Sequence, residues 1–205
     1  MGLLGCILAG VAWAGVSPAR EPLSARAIER PAVLPKGWAE LGFTGDLDGA
    51  STRVGYGLGP SVDIRLGQAW SAGGLDSVRM SVRRSLFERE PPMTSLALDV
   101  GWTEPVVAAG RSAPDAGLVI RQELAPFQLE VTGRWVQPLV GRGRPVGRVA
   151  LTMQGGPLLV IGSLTSPTRP GVDAALQLSR GLTVGAGAVW TEEGASGRAI
   201  LGVWL

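Results

Sequence analysis

The chain has 205 residues, room for one barrel or sandwich domain. Charged residues make up 18%, below the about 25% of ordinary soluble proteins, and a net charge of +2 without any basic run interleaved with aromatics gives no nucleic-acid footprint. Histidine is absent and Cys6 is the only cysteine, which excludes an intrachain disulfide and a Cys/His metal set and removes the usual general base of hydrolases.

The N-terminus, MGLLGCILAGVAWAG, is apolar, short and closes on small residues. Ala12-Trp13-Ala14 fits an A-x-A cleavage pattern, and Ser17-Pro18-Ala19 is a second choice, so residues 1–19 read as a secretory signal peptide. The run is too short for a spanning helix, and it lacks the usual basic residue near its start. Leu3-Leu4-Gly5-Cys6 resembles a lipoprotein box, but too little chain precedes it and an apolar run follows. Residues 20–37 are charged and punctuated by prolines, which predicts a periplasmic N-terminal arm. The alternative is a plug entering a lumen.

From Trp38 onward the chain is a series of short alternating runs broken by Gly, Pro, Asp and Ser, the pattern of strands and turns. The predicted strands cover 38–44, 52–59, 62–70, 78–87, 95–103 and 118–124. Six more cover 127–135, 148–155, 158–164, 172–179, 182–190 and 198–205. Twelve is an even number, as bacterial single-chain membrane barrels require; ten remain if 158–164 or 38–44 fails to span. Connections after even strands are short, such as Pro60-Ser61, Ala125-Pro126 and Gly156-Pro157. Those after odd strands read as longer: SAGGLDS, EPVVAAGRSAPDAG, QPLVGRGRPVG, TSPTRPG and TEEGASG. Short turns at one end and long loops at the other are a membrane-barrel pattern.

Successive strand side chains point to opposite faces, so each strand has two parities. In FQLEVTGRW, residues 127–135, Phe127, Leu129, Val131 and Trp135 share one, and Gln128, Glu130, Thr132 and Arg134 the other. Trp70, Trp102, Trp135 and Trp190 all take the apolar parity, each at or beside the end of an odd strand. In an up-and-down topology those four ends lie at one level, which predicts an interfacial tryptophan girdle rather than the scattered tryptophans of a soluble core. The apolar face then points out to lipid. The polar parity holds Glu40, Arg53, Asp63, Arg65, Arg79, Arg83, Asp99, Arg121, Glu123, Glu130, Arg134, Arg148, Asp173 and Arg198, which are expected to line a lumen. Arg84 breaks the parity, through snorkelling near the interface or a local bulge. Gly185 and Gly187 take the lumen parity and relieve crowding or allow coiling there.

From about Trp38 to Leu205 the chain resembles bacterial outer-membrane β-barrel proteins as a class, porin- and transporter-like. The last strand, RAILGVWL, resembles the C-terminal strand that the class presents to its assembly machinery, with Leu205 where an aromatic residue is usual and Trp204 before it. The expected fold is all-β: a transmembrane antiparallel up-and-down barrel of about twelve strands over residues 38–205, in a Gram-negative outer membrane. A soluble secreted sandwich is the fallback.

For the charged lumen two readings compete. It forms a narrow channel for small polar or anionic solutes, or its ions pair across and fill it, leaving a structural barrel that anchors or scaffolds an envelope complex. The expected partners are outer-membrane lipid and lipopolysaccharide, the barrel assembly machinery, and such a solute; no nucleic acid is expected. With no histidine base, the chain is expected not to be an enzyme, and no metal or cofactor is expected. Arg142 and Arg144 belong to a loop that either meets lipopolysaccharide phosphates or is simply solvated.

Overall fold

The structure, a computed structural model, describes residues 30–46, 49–89, 94–107, 111–166, 169–179, 181–191 and 194–205. The signal-peptide reading of residues 1–19, and residues 20–29 of the arm, lie outside the described residues. Every regular element among the described residues is a strand: β1 (Ala39–Asp46), β2 (Gly49–Gly59), β3 (Val62–Ser71), β4 (Gly74–Arg89), β5 (Thr94–Pro105), β6 (Ala113–Leu124), β7 (Phe127–Val136), β8 (Arg144–Gly155), β9 (Leu158–Thr165), β10 (Arg169–Ser179), β11 (Leu182–Thr191) and β12 (Gly194–Trp204). Each strand pairs antiparallel with its sequence neighbours, and β1 pairs with β12, so the sheet closes into a twelve-stranded barrel with no free edge.

All twelve predicted strands are present. The even strands from β2 to β12 begin three to five residues earlier than alternation alone places them, for example at Gly74 rather than 78 and at Ala113 rather than 118. Those segments are rich in Gly, Pro and Ser, so hydrophobic alternation fades there while backbone pairing continues. This corrects the loop pattern. Residues 72–73 alone separate β3 from β4, residues 47–48 separate β1 from β2, and residues 192–193 separate β11 from β12. Only two connections are long, 106–112 and 137–143. Arg111 and Ser112 meet the second of these: Arg111 Nη1 donates to the Val140 carbonyl at 2.6 Å and the Leu139 amide to the Ser112 carbonyl at 3.1 Å.

The register settles the faces. Glu40, Gly55, Arg65 and Ser81 stand opposite one another across β1–β4, and the same row parity runs through Asp99, Gly117, Arg134, Glu130 and Arg121. This face is buried: Asp63 is 0% and Asp99 2% exposed. The opposite face carries exposed Ile64, Met80, Val82, Val100, Leu118 and Leu151. Apolar outside and charged inside is the reverse of a soluble protein and fits a barrel whose outer solvent is hydrocarbon. Trp102, Trp135 and Trp190 are exposed on that outer face, and Trp70 shares their parity opposite Ala50. Arg84 also faces out, opposite Val62 at the first position of β3, and the β4 register shifts just beyond it between Ser85 and Phe87.

Candidate functional site: the charged lumen

Every lumen residue expected from the polar parity lies on the inner face, and the register brings most of them together in four ion-pair groups. Near the short-turn end, Glu40 accepts from Arg53 Nη2 at 2.7 Å and Arg65 Nη1 at 3.1 Å, while Arg65 Nη2 also reaches Asp63 at 2.8 Å. On β4–β7, Asp99 accepts from Arg83 Nη2 at 2.8 Å and Arg79 Nη2 at 2.7 Å. Arg79 continues to Asp115, with Nε at 2.9 Å, and Arg134 pairs with the same Asp115 at 3.5 Å. Glu130 is shared by Arg121 at 2.6 Å and Arg148 at 3.2 Å. Asp173 and Arg198 form a two-point pair, Nε to Oδ1 at 2.6 Å and Nη2 to Oδ2. Such forks are geometrically specific and strong where water is excluded. Asp115 is absent from the expected set because β6 was predicted to begin at 118, beyond it; continued alternation through Pro114 is the signal that would have found it.

Three of these groups share one construction. Glu40 on β1 meets Arg65 on β3 across Gly55 of the intervening β2, in direct register. Arg79 on β4 meets Asp115 on β6 past Gly101 of β5, where a Cβ would stand 2.6 Å from Arg79 Nη2. Asp173 on β10 meets Arg198 on β12 over Gly187 of β11, where a Cβ would collide with Asp173 Oδ1 and the Val172 carbonyl. Each pair skips a strand, and at Gly101 and Gly187 the missing side chain of the strand between makes room for it. The predicted crowding relief at Gly187 is thus specific to an ion pair.

Residues 30–37 do not run outside the barrel. They enter the lumen at the short-turn end, the plug alternative for this stretch. The Ala32 amide donates to Ser95 Oγ at 3.0 Å, and the Leu34 amide to Asp63 Oδ2 at 2.8 Å. The Ala32 carbonyl accepts from Arg83 Nη1 at 2.9 Å and Arg65 Nη2 at 3.3 Å. Arg121 Nη1 holds the Pro31 carbonyl at 2.7 Å, and Gln128 Nε2 the Arg30 carbonyl at 3.4 Å. Ala32 and Val33 form an apolar cluster with Ala97 and Val119. The Arg30 guanidinium lies 4.3 Å over the Trp204 ring, and burial pushes its pKa down to about 10, partly offset by Glu40. Sequence reasoning left Trp204, Ser95 and Ser81 out of the site because small polar and lone aromatic residues carry no charge pattern.

The two halves of the lumen therefore differ. At the short-turn end Ser95, Ala97, Val119 and Leu159 are at most 3% exposed. Beyond this filled end the Arg53 and Arg148 side chains are 52% and 41% exposed, each touching its carboxylate through one nitrogen.

A closed antiparallel barrel with an apolar outer belt that includes Trp102, Trp135 and Trp190, and with ionic groups inside, defines the class of outer-membrane β-barrels. No protein-family model matches the chain, and no curated protein matches it in sequence. Among solved structures it is similar in fold to KdgM porin. The KdgM porin complex with disordered oligogalacturonate superposes with a TM-score of 0.60 at 8% identity, over 81% of this chain and 98% of that one. KdgM porin alone gives 0.57 at 9% identity, over 82% and 97%. A triple mutant of Rhodopseudomonas blastica porin gives 0.43 at 13% identity, over 77% of this chain and 55% of that larger one.

Proposed function

We propose that this chain is a narrow diffusion channel of a Gram-negative outer membrane with a preference for small anionic or polar solutes. The observation that carries it is the exposure of two inward-facing arginines, Arg53 on β2 and Arg148 on β8, strands half a barrel apart, at 52% and 41%. A guanidinium with free N–H groups in a confined, low-dielectric passage attracts carboxylates and phosphates and repels cations. The KdgM porin fold supports a channel, and its oligogalacturonate complex supports an anionic solute. Export by the signal peptide, contact with lipopolysaccharide, and delivery of β12 to the barrel assembly machinery belong to the same reading. The test is reversal potential across a planar bilayer under a salt gradient. Arg53→Glu with Arg148→Glu should move it toward cation preference; an unchanged potential from a conducting double variant would remove these arginines from the pathway.

A second reading has its own support. The inner ions are mostly paired with one another and residues 30–35 occupy one end, which suits a non-conducting barrel that anchors an envelope complex. An inserted, heat-modifiable barrel that never conducts, with residues 30–35 displaced or in place, would favour it.

A further inference from the structure

We infer that residues 30–35 are a displaceable plug, a segment of the chain itself that closes the channel at the short-turn end and must leave for solute to pass. This rests on the channel reading above. The barrel does not need the segment for its own integrity: β1 pairs with β12 and completes the sheet without it. Nor does its departure strand an ion. Arg65, Arg83 and Arg121 keep Asp63, Asp99 and Glu130 as partners whether or not they also hold the segment's carbonyls. Ser95, Asp63, Arg65, Arg83, Arg121 and Gln128 hydrogen-bond the segment's main chain, beside the apolar contacts of Ala32 and Val33 and the stacking of Arg30 on Trp204. Pro31 and Pro35 restrict the segment's free conformations, so less entropy is lost when it docks.

The seat is shaped for it. Gly57 faces the lumen on β2, and a Cβ there would collide with the Pro35 carbonyl and lie 2.7 Å from the Leu34 carbonyl. At Gly55 a Cβ would lie 2.8 Å from Leu34 Cδ1. The pivot is Gly37, at a φ of 78° that favours glycine, with its amide bonded to the Gly57 carbonyl. A plug held by hydrogen bonds from β3 to β7, over a glycine groove on β2 and behind a glycine turn, can swing out without any strand unpairing.

The experiment uses the full chain with Cys6→Ser, and Val33→Cys as a reporter for a membrane-impermeant maleimide. Single-channel currents and labelling of the introduced thiol are recorded for this background, for Gly57→Ala and for Ser95→Ala. The expected background is mostly closed and slowly labelled. Gly57→Ala unseats the plug and gives long openings with fast labelling. Ser95→Ala removes one buried bond and raises the open-to-closed ratio about fivefold. Should Gly57→Ala fail to refold, the replacement of both Ser95 and Gln128 by alanine, which removes two of the bonds to the segment's main chain and keeps the introduced thiol, makes the same prediction. Fast labelling with openings no longer than the background's overturns the gate and leaves the channel standing. Fast labelling of inserted barrels that all stay silent overturns the channel reading, and the gate with it. Labelling of Gly57→Ala and the replacement no faster than the background overturns the plug seat.

Discussion

Gly187→Ala would ordinarily be a mild change, since alanine in a strand loses less backbone entropy on folding than glycine. In this barrel the new methyl would occupy the space through which Asp173 reaches Arg198. It would collide with Asp173 Oδ1 and lie 2.8 Å from Asp173 Cα, so the carboxylate must swing away or β10 and β11 must part. Asp173 is 2% exposed, and the Arg198 side chain 17%. Breaking such a buried pair leaves an uncompensated charge and costs about 3 kcal/mol, the low end for buried ion pairs, because Arg198 keeps some water. Urea unfolding of the refolded barrel in detergent should then show a midpoint lower by about 1–3 M, given usual urea slopes. Gly133, on the lipid face with nothing within 4 Å of the place a methyl would take, is the matched control. Gly133→Ala should be neutral or stabilising by up to about 1 kcal/mol. Equal midpoints for Gly187→Ala and the unaltered chain would refute the idea that this glycine exists to pass an ion pair over its strand.

Asp99→Ala removes the shared acceptor of Arg79 and Arg83 and should destabilise the barrel by about 3–5 kcal/mol, read as loss of the heat-modifiable band at moderate urea. Arg121→Glu places a carboxylate beside Glu130 and releases the Pro31 carbonyl, so it should impair refolding more than Arg148→Glu, whose side chain has room to turn into the open lumen; equal refolding yields would count against the division of the lumen into filled and open halves. Single-tryptophan chains retaining Trp102, Trp135 or Trp190 should be quenched by brominated lipid near the headgroup level, whereas chains retaining Trp38 or Trp204 should not.

Alternation made the strands and their two faces legible, because a charge on the lipid face at mid-depth is costly, so charges in the middle of the strands keep to the inner parity, Arg84 opposite the first residue of β3 excepted. That is why Gln128, Glu130 and Arg134 could be assigned inward before any register was known. Where side chains leave the hydrocarbon the enforcement ends. The starts of β4 and β6 are Gly-, Ser- and Pro-rich, and only pairing across the sheet revealed them, with Asp115 among them.

The sequence by itself determined the twelve strands and the direction each side chain faces, both local consequences of backbone geometry and solvent polarity. Tertiary structure alone decided which arginine meets which carboxylate, since that depends on strand stagger between residues up to 36 positions apart, as in Arg79 and Asp115. It also decided where residues 30–37 go. Their two prolines and two basic residues, Arg30 and Lys36, suit an exposed arm as well as a plug, and the choice was made by inward donors and acceptors, among them Asp63, Ser95 and Gln128, that come together only once the barrel has closed.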